Sequence, residues 1–161
     1  MSQPDPKREL LRHTLATLAY RGRKAVTGVD PGFGSFRAHE SIKAPAAILA
    51  HIGDLLEWAA SHVRGEERWS NSEPGPWERE VERFFEGLAT LDRLLAESPR
   101  LACSEERLFQ GPIADALTHV GQIAMLRRTA AAPVRGENYL RAEIQAGRVG
   151  REQAPPVREF D

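Results

Sequence analysis

The sequence predicts an all-α fold built as a four-helix bundle. Three observations point that way: four long segments repeat apolar residues at helical spacing, few windows alternate at period two, and the intervening stretches are rich in Gly, Pro and Ser. Met1 to Pro6 reads as a loose end. From about Lys7 to Val26, Leu10, Leu11, Thr14, Leu18 and Ala25 recur near helical spacing. TGVDPGFGSFRAHES, with three glycines and a proline, is then a long connection. A second helix starts near Lys43, with Pro45 in its first turn, where a missing N–H costs nothing. Ile48, Ile52, Leu55, Leu56, Ala59 and Val63 give it an amphipathic stripe. RGEERWSNSEPGPW interrupts the pattern. The third helix runs from about Pro76 to Glu97 and buries Trp77, Val81, Phe84, Phe85, Leu88, Leu91 and Leu95. After SPRLACSEERLFQG, the fourth starts near Pro112 and runs to about Ala131. Asn138 to Gln145 is a short polar helical appendage, and GRVGREQAPPVREFD reads as an extended or disordered tail. The chain, 1–161, is one domain, with its bundle core at about 7–131 and the appendage and tail at 132–161. Two connections are long enough for a crossover topology.

Composition narrows the function classes. A chain of 161 residues buries roughly two-thirds of its unfolded surface, enough for a core without staples. The formal net charge is -1, and the 22 Lys and Arg residues are scattered among 23 acidic ones. No basic footprint for nucleic acid is expected. No window approaches 18 continuous apolar residues, so no transmembrane helix and no membrane partner are expected. MSQPDPKRELL has no apolar run behind a basic start, which predicts no signal peptide. Cys103 is the single cysteine, so an intrachain disulfide and a Cys-based zinc site are excluded. The expected location is the cytoplasm.

Chemistry concentrates in PIADALTHVGQIAMLRR, the fourth helix. At about 100° per residue, Ile113, Leu117, Val120 and Ala124 share a core face. Asp115, His119, Gln122 and Leu126 form a second stripe nearly opposite. Asp115 and His119 are i and i+4, a spacing that lets two ligands reach one metal ion from a single helix. On spacing alone, a solvated face with Asp115 pairing His119 fits as well or better. In the second helix, His51 lies at the flank of the apolar face, with Leu55, Trp58 and His62 along the same edge. It points into a groove beside the core, as a boundary histidine or a ligand.

HIGDLLEW and LTHVGQIAMLRR resemble the two signature regions of the DinB-like superfamily, which includes metal-dependent hydrolases and thiol-dependent S-transferases. That family places one histidine in the second helix and an HxxxH pair in a later one, often followed by a GQ dipeptide. His51 matches the first. His119, two residues before Gly121 and Gln122, matches the second histidine of the pair, and Asp115 stands where the pair has its first. The resemblance covers about residues 7–131. It implies a DinB-like four-helix bundle, a divalent metal held by His51, Asp115 and His119, and an open coordination position. Two imidazoles and a carboxylate suit zinc or nickel first, then iron or manganese. Asp115 either keeps the site in this form or marks a degenerate one; retention is the expectation. Gln122 either supports a ligand or faces solvent.

The remaining candidates carry less. His62 reads as an exposed helix-end residue, and His13 and His39 as surface residues. Cys103 reads as an inert thiol. Arg127, Arg128 and Arg135 either recognise a substrate carboxylate or are solvated cations at the helix end. Trp69 and Trp77 read as core closure, and VRGENY has no chemical role assigned. The leading functional expectation is a metal-dependent enzyme in which a water or a low-molecular-weight thiol attacks a small-molecule substrate. The alternative is a non-enzymatic, stress-related or ligand-binding bundle with a vestigial metal site. An isologous homodimer, pairing along an exposed apolar helix face, is compatible with such a bundle, and no residue identifies that face.

Overall fold

The computed structural model describes residues 5–160. Most of the loose end expected at Met1 to Pro6 lies outside the described residues, but Asp5 already caps the first helix and Pro6 begins it. Helix α1 spans Pro6–Val26; the Asp5 carboxylate accepts from the Lys7 N–H, and Pro6 occupies the first turn. A 3-10 turn, Pro31–Ser35, follows and buries Phe33 edge-on against Trp77. Helix α2 spans Pro45–Arg64 and ends on Gly65, whose φ of 79° is the left-handed stop that favours glycine. Helix α3 spans Trp77–Glu97.

The fourth helix begins earlier than its sequence suggests. Helix α4, Glu105–Leu108, is capped by the Ser104 hydroxyl. It passes through a π-helical turn, Phe109–Ile113, into α5, Ala114–Thr129. Pro112 sits inside that wide turn rather than at a helix start. A proline in an α-helix interior lacks its N–H and clashes with the carbonyl four residues back, and the wider turn accommodates it.

The protein is mostly helical. Helices α1 and α2 each pack against both α3 and α5, so the four long helices lie around one core in the order α1, α3, α2, α5. Consecutive helices α1 and α2 therefore face each other across the core, as the long connection between them allows. The core is filled by side chains such as Leu15, Leu18, Leu49, Ile52, Leu56, Phe84, Leu88 and Leu91, all fully buried. Gly22 of α1 lets α3 approach closely: a Cβ there would lie 2.4 Å from Phe84 Cζ.

Two expectations for the C-terminal part are corrected. The appendage is only a 3-10 turn, Tyr139–Arg141, and the tail is built into the fold. Strand β1, Gly136–Glu137, pairs antiparallel with β2, Glu159–Phe160, while Val149 and Ala154 are buried. VRGENY acquires a structural role through Glu137, whose buried carboxylate accepts from the Tyr20 hydroxyl at 2.6 Å and from Lys24 Nζ at 2.7 Å. Burial and this contact push the Tyr20 phenol up. Burial works to lower the Lys24 ammonium, but its bonds to Glu137 and Glu159 outweigh that and raise it. Arg21 lies 4.0 Å over the Tyr139 ring, closing the same seam.

Candidate metal centre

Helix α5 is turned differently from its expected wheel. Its buried face is Ala116, Val120, Ile123, Leu126 and Arg127, whereas Leu117 and Ala124 are only half-buried. The apolar side is thereby rotated toward His119, which becomes a flank residue facing α2 rather than a residue opposite the core. Arg127 belongs to this buried face. It is 5% exposed and caps the end of α1. Its guanidinium donates to the carbonyls of Lys24 at 3.0 Å and Thr27 at 2.6 Å, and to that of Ala132 at 2.8 Å. It is therefore neither a solvated cation nor open to a substrate, and burial lowers its pKa.

With α5 so placed, all three expected ligands come together. His51 Nε2 lies 3.6 Å from Asp115 Oδ2, and His119 Nε2 lies 3.4 Å from Asp115 Oδ1. The two imidazole rings are 4.8 Å apart and nearly perpendicular. One ligand atom from each residue falls within 4.8 Å of the others, so His51, Asp115 and His119 form a group that could hold a metal ion. The spacing is informative. Both histidine–carboxylate distances exceed the 2.7–3.2 Å typical of an N–H···O bond. Each lies near the roughly 3.3–3.6 Å that separates two ligands bound at about 2.0–2.2 Å in a tetrahedral site, although they run to different Asp115 oxygens, and the three donors as a set are gathered within 4.8 Å. The donor set, two imidazole nitrogens and a carboxylate oxygen, fits a divalent transition metal.

The neighbours orient these donors. Gln122 Oε1 is 2.7 Å from His119 Nδ1, the arrangement in which Nδ1–H donates and Nε2 keeps its lone pair toward the centre. Gln122 thus lies beside His119 and is at the same time solvent-exposed, so both of its expected roles fit. On the other side stands Trp69, 5.8 Å from His51 and 5.6 Å from Trp58 between ring centres. Trp77 does close the core, as expected, but Trp69 does not: it is 47% exposed and walls the site.

Two buried polar residues of α2 hold Trp69 there. The Ser61 hydroxyl accepts from the Arg68 N–H at 3.0 Å, and the Asp54 carboxylate accepts from the Ser72 N–H at 2.9 Å and the Ser72 hydroxyl at 2.7 Å. Arg83 of α3 donates to Asp54 and, at 2.9 Å, to Glu57. Burial pushes the Asp54 carboxyl up, but the bonds from Arg83 and Ser72 outweigh it and hold the group below its ordinary value. Asp54 and Ser61 share a helix face with His51 and Trp58, and that polar spacing within HIGDLLEWAAS was the available signal for a pinned loop.

The other candidates lie elsewhere. His62 is half-buried against Trp58, 5.0 Å between ring centres, in a cleft that also holds Cys103. His13 and His39 are exposed, and His39 bonds locally to Ser41. Arg135 pairs with Glu159 at 3.2 Å. No helix among the described residues is long and apolar enough to cross a membrane. Compared with family models, with curated proteins and with solved structures, the chain has no match.

Proposed function

We propose that this chain is a metal-dependent enzyme with a DinB-like four-helix-bundle architecture, acting on a small molecule by hydrolysis or thiol S-transfer. His51, Asp115 and His119 hold one divalent ion, zinc or nickel ahead of iron or manganese. The gathering of two imidazoles and a carboxylate from α2 and α5 within 4.8 Å of one another carries this reading. The cyclic packing of α1, α3, α2 and α5, and the placing of the ligands on α2 and α5, support the family resemblance. A bound divalent cation with an open position would supply Lewis acidity.

The chain's own residues account for the rest. Gln122 fixes the His119 ring, and Trp69 covers one flank of His51. The Asp115 side chain is 46% exposed, and each of its two oxygens faces one of the histidines. Below Gln122 the centre opens into a groove rather than closing on itself, which favours a reactive over a purely structural ion.

The test is calorimetric titration of zinc and nickel into chelator-treated protein. About one equivalent is expected in the wild type, with the uptake lost in His51→Ala and His119→Ala while helical circular dichroism is unchanged. Absence of stoichiometric uptake of zinc, nickel, iron and manganese alike by the wild type would refute the reading.

A further inference from the structure

The groove on the open side of the centre has a distinct chemistry of its own. It encloses about 740 Å³ between the residues that lead into α2 and the outer turns of α5, and both His51 and His119 line it. That volume is in the range of small-molecule sites. Ile48 and Leu126, both buried, form its floor. Ile42 enters from the loop and Met125 from α5, and they are 41% and 63% exposed. A single exposed apolar side chain is ordinary on a protein surface. Here two of them share one lining with two buried ones and both imidazoles. No Asp or Glu lines the groove, and its one ammonium, Lys43, has no carboxylate partner among the described residues.

We infer that the substrate is a small amphiphilic anion. Its reacting group lies at His51 and His119, its apolar body of several carbons lies between Ile42 and Met125, and its anionic substituent meets Lys43. The inference rests on the metal reading above and specifies the substrate class of that same site. An apolar body in the groove gains by leaving water, at roughly 0.8 kcal/mol per fully buried methylene. The Lys43 contact is solvent-exposed and adds selectivity more than affinity.

The experiment uses zinc-loaded protein and three chelating probes measured by calorimetry: acetohydroxamate, octanohydroxamate and the monohydroxamate of octanedioic acid. Octanohydroxamate should bind at least about tenfold more tightly than acetohydroxamate, a step of ~1.4 kcal/mol. That ratio should fall to within about twofold in a variant carrying both Ile42→Ser and Met125→Ser, with zinc content retained. The terminal carboxylate of the third probe should add about threefold at low salt, and Lys43→Gln should abolish that increment. Equal affinity for the short and long hydroxamates, or a ratio that survives the double substitution, overturns the apolar part and leaves the groove to another occupant. A carboxylate effect that is missing, or that persists in Lys43→Gln, overturns the anionic part. In each of these cases the metal reading stands, because the short probe still binds. A wild type that takes up no zinc overturns both.

Discussion

Replacing Arg127 by Met separates a structural arginine from a substrate-binding one. The side chain is buried, and three carbonyls lie within 3.0 Å of its nitrogens: those of Lys24 and Thr27 at the end of α1, and that of Ala132 beyond α5. Lys24 belongs to the last turn of α1, whose carbonyls have no partner within the helix. Each charge-assisted bond nets about 1.5–3 kcal/mol, so the three together contribute roughly 4–9 kcal/mol. Desolvating the guanidinium costs several kcal/mol, and the same burial lowers its pKa. Met fills similar volume and removes the desolvation cost, but leaves the carbonyls without donors. The net loss is then about 3 kcal/mol, or ~6–12 °C in Tm for a chain of this size. Urea and thermal unfolding followed by circular dichroism measure it. Arg127→Lys, with one compact ammonium in place of a planar fork, should lose an intermediate amount. An Arg127→Met protein within about 1 kcal/mol of the wild type would refute the capping argument and return Arg127 to the ligand-binding candidates.

Other substitutions test neighbouring steps of the account. Asp54→Asn removes the charge that binds Arg83 and should cost about 1.5–3 kcal/mol at neutral pH, with Trp69 fluorescence shifting toward that of a solvated indole. The Asp54 carboxyl is held below its ordinary value of 3.8 in the folded protein, so its contribution is complete above that pH. It is lost as the pH falls through the depressed folded value, so wild type and variant should converge in acid; a gap that stays constant to low pH contradicts the charge assignment. Gly22→Ala forces a Cβ to within 2.4 Å of the buried Phe84 ring and should destabilise by about 1–2 kcal/mol, overpacking outweighing the gain in helix propensity. Gly121→Ala meets nothing within 4 Å and should stabilise by about 0.5–1 kcal/mol; a loss there would show that the exposed face of α5 is packed.

Local pattern was enough to locate the four long helices, because their apolar residues repeat over five or more turns and punctuation residues stand at their ends. Pro45 and Gly65 mark the two ends of α2 as read. The start of the fourth helix was not legible: Pro112 looks like a first-turn proline, and only the π turn reveals that the helix has already begun at Glu105. Nor was the rotation of α5, whose buried face includes a charged residue. Arg127 reads as a helix-end cation until the carbonyls of α1 are seen around it. The tail failed for a similar reason. Glu137 looks like a surface acid, and its burial is decided by Tyr20 and Lys24, which lie far away in the chain.

At the site, His51, Asp115 and His119 were singled out as one set through the family resemblance, since spacing alone left a solvated Asp115–His119 pair equally open, and Gln122 by its place one turn along. Trp69 was not, because it sits in a loop whose course is set by Asp54 and Ser61 on another element. Asp54 and Ser61 stand seven residues apart on the side of α2 away from its Ile48–Val63 stripe, and that polar spacing was the signal for such a pinned loop.

The most direct measurement is a crystal structure of the protein grown with zinc, with anomalous data collected on both sides of the zinc absorption edge. The account predicts one strong edge-dependent peak about 2.0–2.2 Å from His51 Nε2, His119 Nε2 and an Asp115 oxygen, with its remaining side facing the groove. A peak at His62 or elsewhere with none between α2 and α5, or a structure in which Asp115 closes to hydrogen-bond distance of both histidines without metal, would contradict it.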